Sequence, residues 1–74
     1  MINHENDHYK QLRARANQEG DEMAKCFEES HRAYEARDGA LAKELSDKGH
    51  AHQKEMNNLN AQASDWIFKG KFTF

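Results

Sequence analysis

Between residues 42 and 66 the chain repeats small, apolar or seam-compatible residues at spacings that alternate three and four without a break: Ala42, Leu45, Gly49, His52, Met56, Leu59, Ala63 and Trp66. A strand would alternate every second residue. A sustained spacing of this kind commits the stretch to a helix that lays one seam against another helix. The chain contains no proline, so its commonest helix breaker is missing. Helices well beyond the usual three or four turns are therefore open to it.

Upstream, Tyr9, Leu12, Ala16, Met23, Phe27, Ser30 and Tyr34 mark a similar but less strict stripe, interrupted at Glu19 and Gly20. It predicts a long helix over residues 6–36 with a bend near Gly20, because glycine costs about 1 kcal/mol against alanine in a helix interior. Between the two stripes stands Asp38-Gly39, a dipeptide that often closes β-hairpins. Neither flank alternates as a strand does, so the dipeptide reads as a helix-to-helix corner. Asp38 suits the N-cap of the second helix, where its carboxylate accepts orphan backbone N–H groups. Arg37 then falls at the end of the first helix, a place where glycine is easier.

Folding the chain at residue 38 sets position i opposite roughly position 76 minus i. Large residues then meet small ones: Phe27 faces Gly49, Met56 faces Gly20, and Tyr34 faces Ala42. Such alternation lets helices interdigitate. The expected fold is an all-α antiparallel two-helix hairpin packed through Leu12, Met23, Phe27, Tyr34, Leu45, Gly49, Met56 and Leu59. Residues 1–8 are expected as a partly disordered segment, residues 9–68 as the hairpin, and residues 69–74 as a tail. Asp21 with Lys25, Glu28 with Arg32, and Glu44 with Lys48 are acid-before-base pairs on solvated faces, each contributing about 0.2–0.5 kcal/mol. Two helices enclose no deep core, so self-association or docking on a partner is expected.

At 74 residues the chain is too small for a deep catalytic pocket, since domains of this size bury only about 60% of their unfolded surface. A formal charge of −2 gives no global attraction for nucleic acid, which would need a local patch. The single cysteine, Cys26, and an N-terminus without an apolar signal stretch point to a reducing, cytoplasmic or nuclear setting. No segment has the roughly 20 apolar residues that span a bilayer.

The runs YKQLRARA from Tyr9, CFEESHRAYEARDGALAKELSDKG from Cys26 and NLNAQASDWIF from Asn58 resemble the helical domain of unknown function that stands immediately before the Smr (small MutS-related) domain in many eukaryotic proteins. The resemblance covers residues 9–68. Its marks are Tyr9, Leu12 and Arg13, then Ala33-Tyr34, Asp38, Ala42, Leu45-Ser46 and Gly49, and finally Asn60, Ala63 and Ile67-Phe68. It implies an accessory module of Smr-type RNA endonucleases, linked to messenger RNA quality control on stalled ribosomes, with an adjacent Smr domain in a longer protein. After Phe68 that family proceeds with an acidic residue and asparagines, whereas this chain reads KGKFTF, so nuclease chemistry is not carried over. The resemblance brings no catalytic residues, and none is expected.

The remaining constellations are weak. His4 and His8 share a helix spacing but lack a third ligand, so no metal or other cofactor is expected. His50 and His52 point about 200° apart on a helix. His52 falls on the seam and reads as a packed, hydrogen-bonded histidine. Cys26 has no base beside it, and Ser46, Asp47 and His50 cannot converge as a triad from consecutive helical positions.

One patch remains. A hairpin brings Lys10 and Arg13 near Lys69 and Lys71, with Tyr9, Trp66 and Phe68 close by. Basic groups neutralise phosphates and aromatic faces stack on unpaired bases, the chemistry of single-stranded RNA contact. The bland reading of the same end is that Tyr9, Trp66 and Ile67 close the open end of the hairpin and Lys69 complements the helix C-terminal dipole. The two functional readings are therefore a helical interaction module that aids RNA or ribosome contact, and a structural or homo-oligomerising module with no nucleic-acid role.

Overall fold

The computed structural model describes residues 4–68, with side chains from residue 7 onward. Two helices account for nearly all of it: α1 runs from His4 to Glu35 and α2 from Gly39 to Phe68. They pack antiparallel into an elongated hairpin, the all-α arrangement that the periodicity predicts. The helix begins at His4, inside the segment expected as a partly disordered N-terminus. Residues 1–3 and 69–74, including the expected tail with Lys69 and Lys71, lie outside the described residues.

The three-residue corner satisfies both helix ends with one short stretch. The Arg37 N–H donates to the Tyr34 carbonyl at 3.0 Å and the Asp38 N–H to the Ala33 carbonyl at 2.9 Å. Those two bonds form the helix C-cap that needs one left-handed residue. That residue is Arg37, at φ 64°, where an L side chain is strained and glycine is not. Asp38 then starts α2. Its Oδ1 accepts the Leu41 N–H at 3.1 Å and its carbonyl accepts the Ala42 N–H at 2.9 Å, so it is an N-cap in full.

In α2 the seam is the one read from the spacing. Ala42, Gly49, Leu59 and Ala63 are buried, and Leu45, His52, Met56 and Trp66 are half-buried. In α1 it runs through Tyr9, Leu12, Ala16, Glu19, Met23, Cys26, Ser30 and Ala33, all buried or half-buried. Phe27 and Tyr34 sit one step to the side. Phe27 still turns inward over Gly49, whereas Tyr34 stays 73% exposed and Ala33 takes the buried position. The physical reason is the 3.5-residue repeat: counted from Leu12, it reaches Cys26 and Ala33 and leaves the aromatics about 100° around the helix.

The two mid-helix glycines have packing reasons. A Cβ on Gly49 would lie 2.5 Å from Cε1 of Phe27, so the ring occupies the space a side chain would need. At Gly20 it would meet only the Met56 Sδ, at 3.2 Å. Helix α1 passes through Gly20 without interruption. The best-buried cluster is Leu12, Ala16, Leu59 and Ala63, with Tyr9 and Met56 against it. It lies toward the open end, away from the corner.

Candidate nucleic-acid interface

The repeat that builds the seam also sorts the remaining side chains to its two sides. Across one side Arg13 Nη1 donates to Asn60 Oδ1. Across the other, Arg15 lies 3.8 Å from Glu55. A flat pair of helices thus has two broad faces, each with its own bridging contact. The Cα extents of 55 × 20 × 11 Å describe the same slab.

At the open end the proposed contact residues divide. Lys10 and Arg13 are exposed, and the Arg13 charge faces a neutral amide that orients the guanidinium without cancelling it. Phe68 is 88% exposed. Tyr9 instead packs on the Leu12, Ala16, Leu59 and Ala63 cluster. Trp66 is half-buried, its ring 4.3 Å from that of His8 at a 48° tilt. These two aromatics therefore brace the open end, whereas Lys10, Arg13 and Phe68 stay exposed there. Lys69 and Lys71 lie outside the described residues.

The seam carries polar pairs that apolar periodicity does not register. His52 Nδ1 and Glu19 Oε2 are 2.6 Å apart with side chains about a third exposed. Both occupy seam positions, so each would lose hydration without the other, and a one-turn slip would separate them. The Ser30 hydroxyl donates to the Ala42 carbonyl at 2.7 Å, tying α1 to the first turn of α2. Ser30 stands on the stripe read from the sequence, whereas Glu19, which interrupts that stripe, could have been found only by continuing the strict repeat through it. Cys26 is a half-buried free thiol on the seam. Among the described residues no three His, Cys, Asp or Glu side chains are grouped to hold a metal, and no helix is long and apolar enough to cross a membrane. Near the corner Tyr34, Glu35, Arg37 and Gly39 line an open cleft of about 530 Å³.

Fold and surface together define a small helical hairpin module whose functional groups are displayed on its faces. The chain belongs to the family described as "Domain of unknown function (DUF1771)", which matches residues 9–71. An Smr domain-containing protein of Schizosaccharomyces pombe is 36% identical over 62 residues, covering 84% of this chain. The chain spans 30% of that relative's length. Membership together with this relative places the module among domains found alongside an Smr domain. No solved structure matches the chain.

Proposed function

We propose that this hairpin is a non-enzymatic accessory module that helps an Smr-type protein engage RNA, in the setting of messenger RNA quality control on stalled ribosomes. Family membership and the Smr-containing relative support the accessory role. The observation that carries the RNA reading is the exposure of Lys10, Arg13 and Phe68 at the open end, two cations and a ring with no role in the seam. Cations meet phosphates and an exposed ring meets an unpaired base. Cytoplasm is the compartment that fits this role, with the nucleus as the alternative.

A titration with single-stranded RNA at several salt concentrations tests it, comparing the parent chain with one in which Lys10, Arg13, Lys69 and Lys71 are all glutamine. The parent binds with salt-dependent affinity and the variant does not. No binding by the parent, or binding indifferent to the replacements, removes the open-end RNA patch.

A second reading, a structural or homo-oligomerising module, is favoured by the large apolar side chains left outside the seam, Tyr34, Leu41, Ile67 and Phe68. Light scattering across a concentration series separates it: growth in mass with concentration, together with silence toward RNA, selects this reading.

A further inference from the structure

Helical phase divides the chain's acidic residues unequally between the two broad faces. On the face bridged by Arg15 and Glu55, the flanking rows carry Glu22, Glu29, Glu44 and Glu55 among lysines and arginines. The face bridged by Arg13 and Asn60 consists of four rows, each repeating every seven residues: those starting at Lys10 and Arg13 in α1, and those starting at Lys43 and Ser46 in α2. No Asp or Glu among the described residues falls on these rows, in a chain with 13 acidic residues and a formal charge of −2. What they carry is cations, histidines, serines, amides, a glycine, an alanine, Phe27, and the exposed side chains of Tyr34 and Ile67. One broad face of a net-negative molecule thus has cations at both ends and neutral side chains and His50 between them, with Glu35 on His31 at 3.2 Å and Asp47 on Lys43 at its margin.

The cations on this face are available. Arg13 is held by the neutral amide of Asn60. Lys10 stands exposed at the open end. Lys43 touches only Asp47 at the margin, at 3.4 Å, with both side chains largely exposed, a kind of pair that opens readily. The ring of Phe27 covers Gly49 and meets His50 edge-on, with centroids 5.2 Å apart. Beyond it, near the corner, stands the 73% exposed Tyr34.

We propose that this acid-free face is a track for single-stranded RNA that runs from the open end to the corner. Lys10, Arg13 and Lys43 hold phosphates and Tyr34 stacks on a base. The proposal rests on the RNA reading above and extends its site from one end of the hairpin along its whole length. Cations spread along a face suit a polyanion better than a single carboxylate. An exposed ring requires unpaired bases, which selects a single strand over a duplex. A second copy of the chain is disfavoured, since it would set two cationic faces together.

The test uses a uridylate oligomer and three variants of the chain: Lys43→Gln with Tyr34→Ser at the corner, Lys10→Gln with Arg13→Gln at the open end, and Arg15→Gln with Lys48→Gln on the opposite face. All six positions are exposed, and circular dichroism confirms that helix content is kept. Three phosphate contacts give the parent a log–log salt slope of about −2, and each lost cation reduces its size by about 0.7. The corner variant therefore binds with a shallower slope and about five-fold or more weaker affinity, the lower end of what one base–ring stack contributes. The open-end variant also weakens, and the opposite-face variant stays near the parent.

If the corner variant binds like the parent while the open-end variant fails, the track is wrong and the open-end site stands. No binding by the parent removes both. Equal losses on the two faces overturn the track in favour of net charge alone. A concentration-dependent dimer that Tyr34→Ser disperses, without RNA binding, assigns the face to a second copy instead.

Discussion

The half of the hairpin near the open end and the half near the corner are held by different forces. Toward the open end Leu12, Ala16, Leu59 and Ala63 form the buried cluster, and Tyr9 and Met56 extend it. Toward the corner the buried residues are only Ala33, Ala42 and Gly49. There the work falls to hydrogen bonds: the paired cap around Arg37 and Asp38, and the Ser30 hydroxyl on the Ala42 carbonyl. Covalent continuity already keeps two helix ends together at a corner, so little apolar burial is needed there. The free ends have no such tether, and apolar burial is concentrated toward them. The difference also explains why a tyrosine can remain exposed beside the corner without weakening the core.

Leu59→Ala tests this contrast most severely. Leu59 is 1% exposed, and truncating a buried leucine costs about 2–5 kcal/mol. A core this small supplies only about 3–5 kcal/mol in total. The variant should lose most of its helix signal in water by circular dichroism. A urea midpoint equal to the parent's would show that the open-end cluster is not the main source of stability.

Gly49→Ala comes next. Its new Cβ meets a ring rather than a flexible tip, so overpacking of about 1–3 kcal/mol exceeds the gain of about 1 kcal/mol in helix propensity. The expected net loss is about 1 kcal/mol, recovered when Phe27→Leu is added. A double variant no more stable than Gly49→Ala alone would deny that Phe27 is the obstacle.

On the corner side Asp38→Ala removes the N-cap bond to Leu41 and should cost about 1 kcal/mol. Equal urea curves for variant and parent would mean that the cap contributes nothing measurable. Arg37→Gly should act in the opposite sense, raising stability by about 0.5–1 kcal/mol because it relieves a left-handed non-glycine residue. Destabilisation there would reveal a contact of the Arg37 side chain worth more than its backbone strain.

Gly20→Ala is the smallest and closes the comparison. The only nearby atom is the Met56 Sδ at 3.2 Å, on a side chain that adapts easily. Propensity should therefore win, with a gain of about 0.5 kcal/mol. A loss as large as that at Gly49 would mean that the methionine is as fixed as the ring.

Much of this was legible in the residue order because each signal was local or periodic. The unbroken three-four spacing from Ala42 to Trp66 is visible without coordinates, and Asp38 announces a cap by its place before a helical stripe. Phe27 opposite Gly49 follows from counting away from the corner. The seam of α1 was only partly legible. Glu19, Cys26 and Ala33 lie on it, yet a carboxylate, a thiol and a small methyl give little apolar signal, while Phe27 and Tyr34 beside them give a strong one. That strong signal predicts Tyr34 as packed, whereas it is exposed. At the open end Tyr9 and Trp66 looked interchangeable with Phe68, and only burial separates braces from display.

By itself the sequence determined that two long helices would form, where the chain would turn, and that the register would set the Phe27 ring against Gly49 and the Met56 thioether against Gly20. Those features depend on backbone propensity, capping and repeat length, which act over a few neighbouring residues. Tertiary structure alone decided that Glu19 would be answered by His52 across the seam, at 2.6 Å. It also decided that Arg13 and Arg15 would bridge opposite faces. Those outcomes depend on the rotational phase of one helix against the other. The phase is chosen by how all the seam side chains pack at once, and no single stretch of sequence contains it.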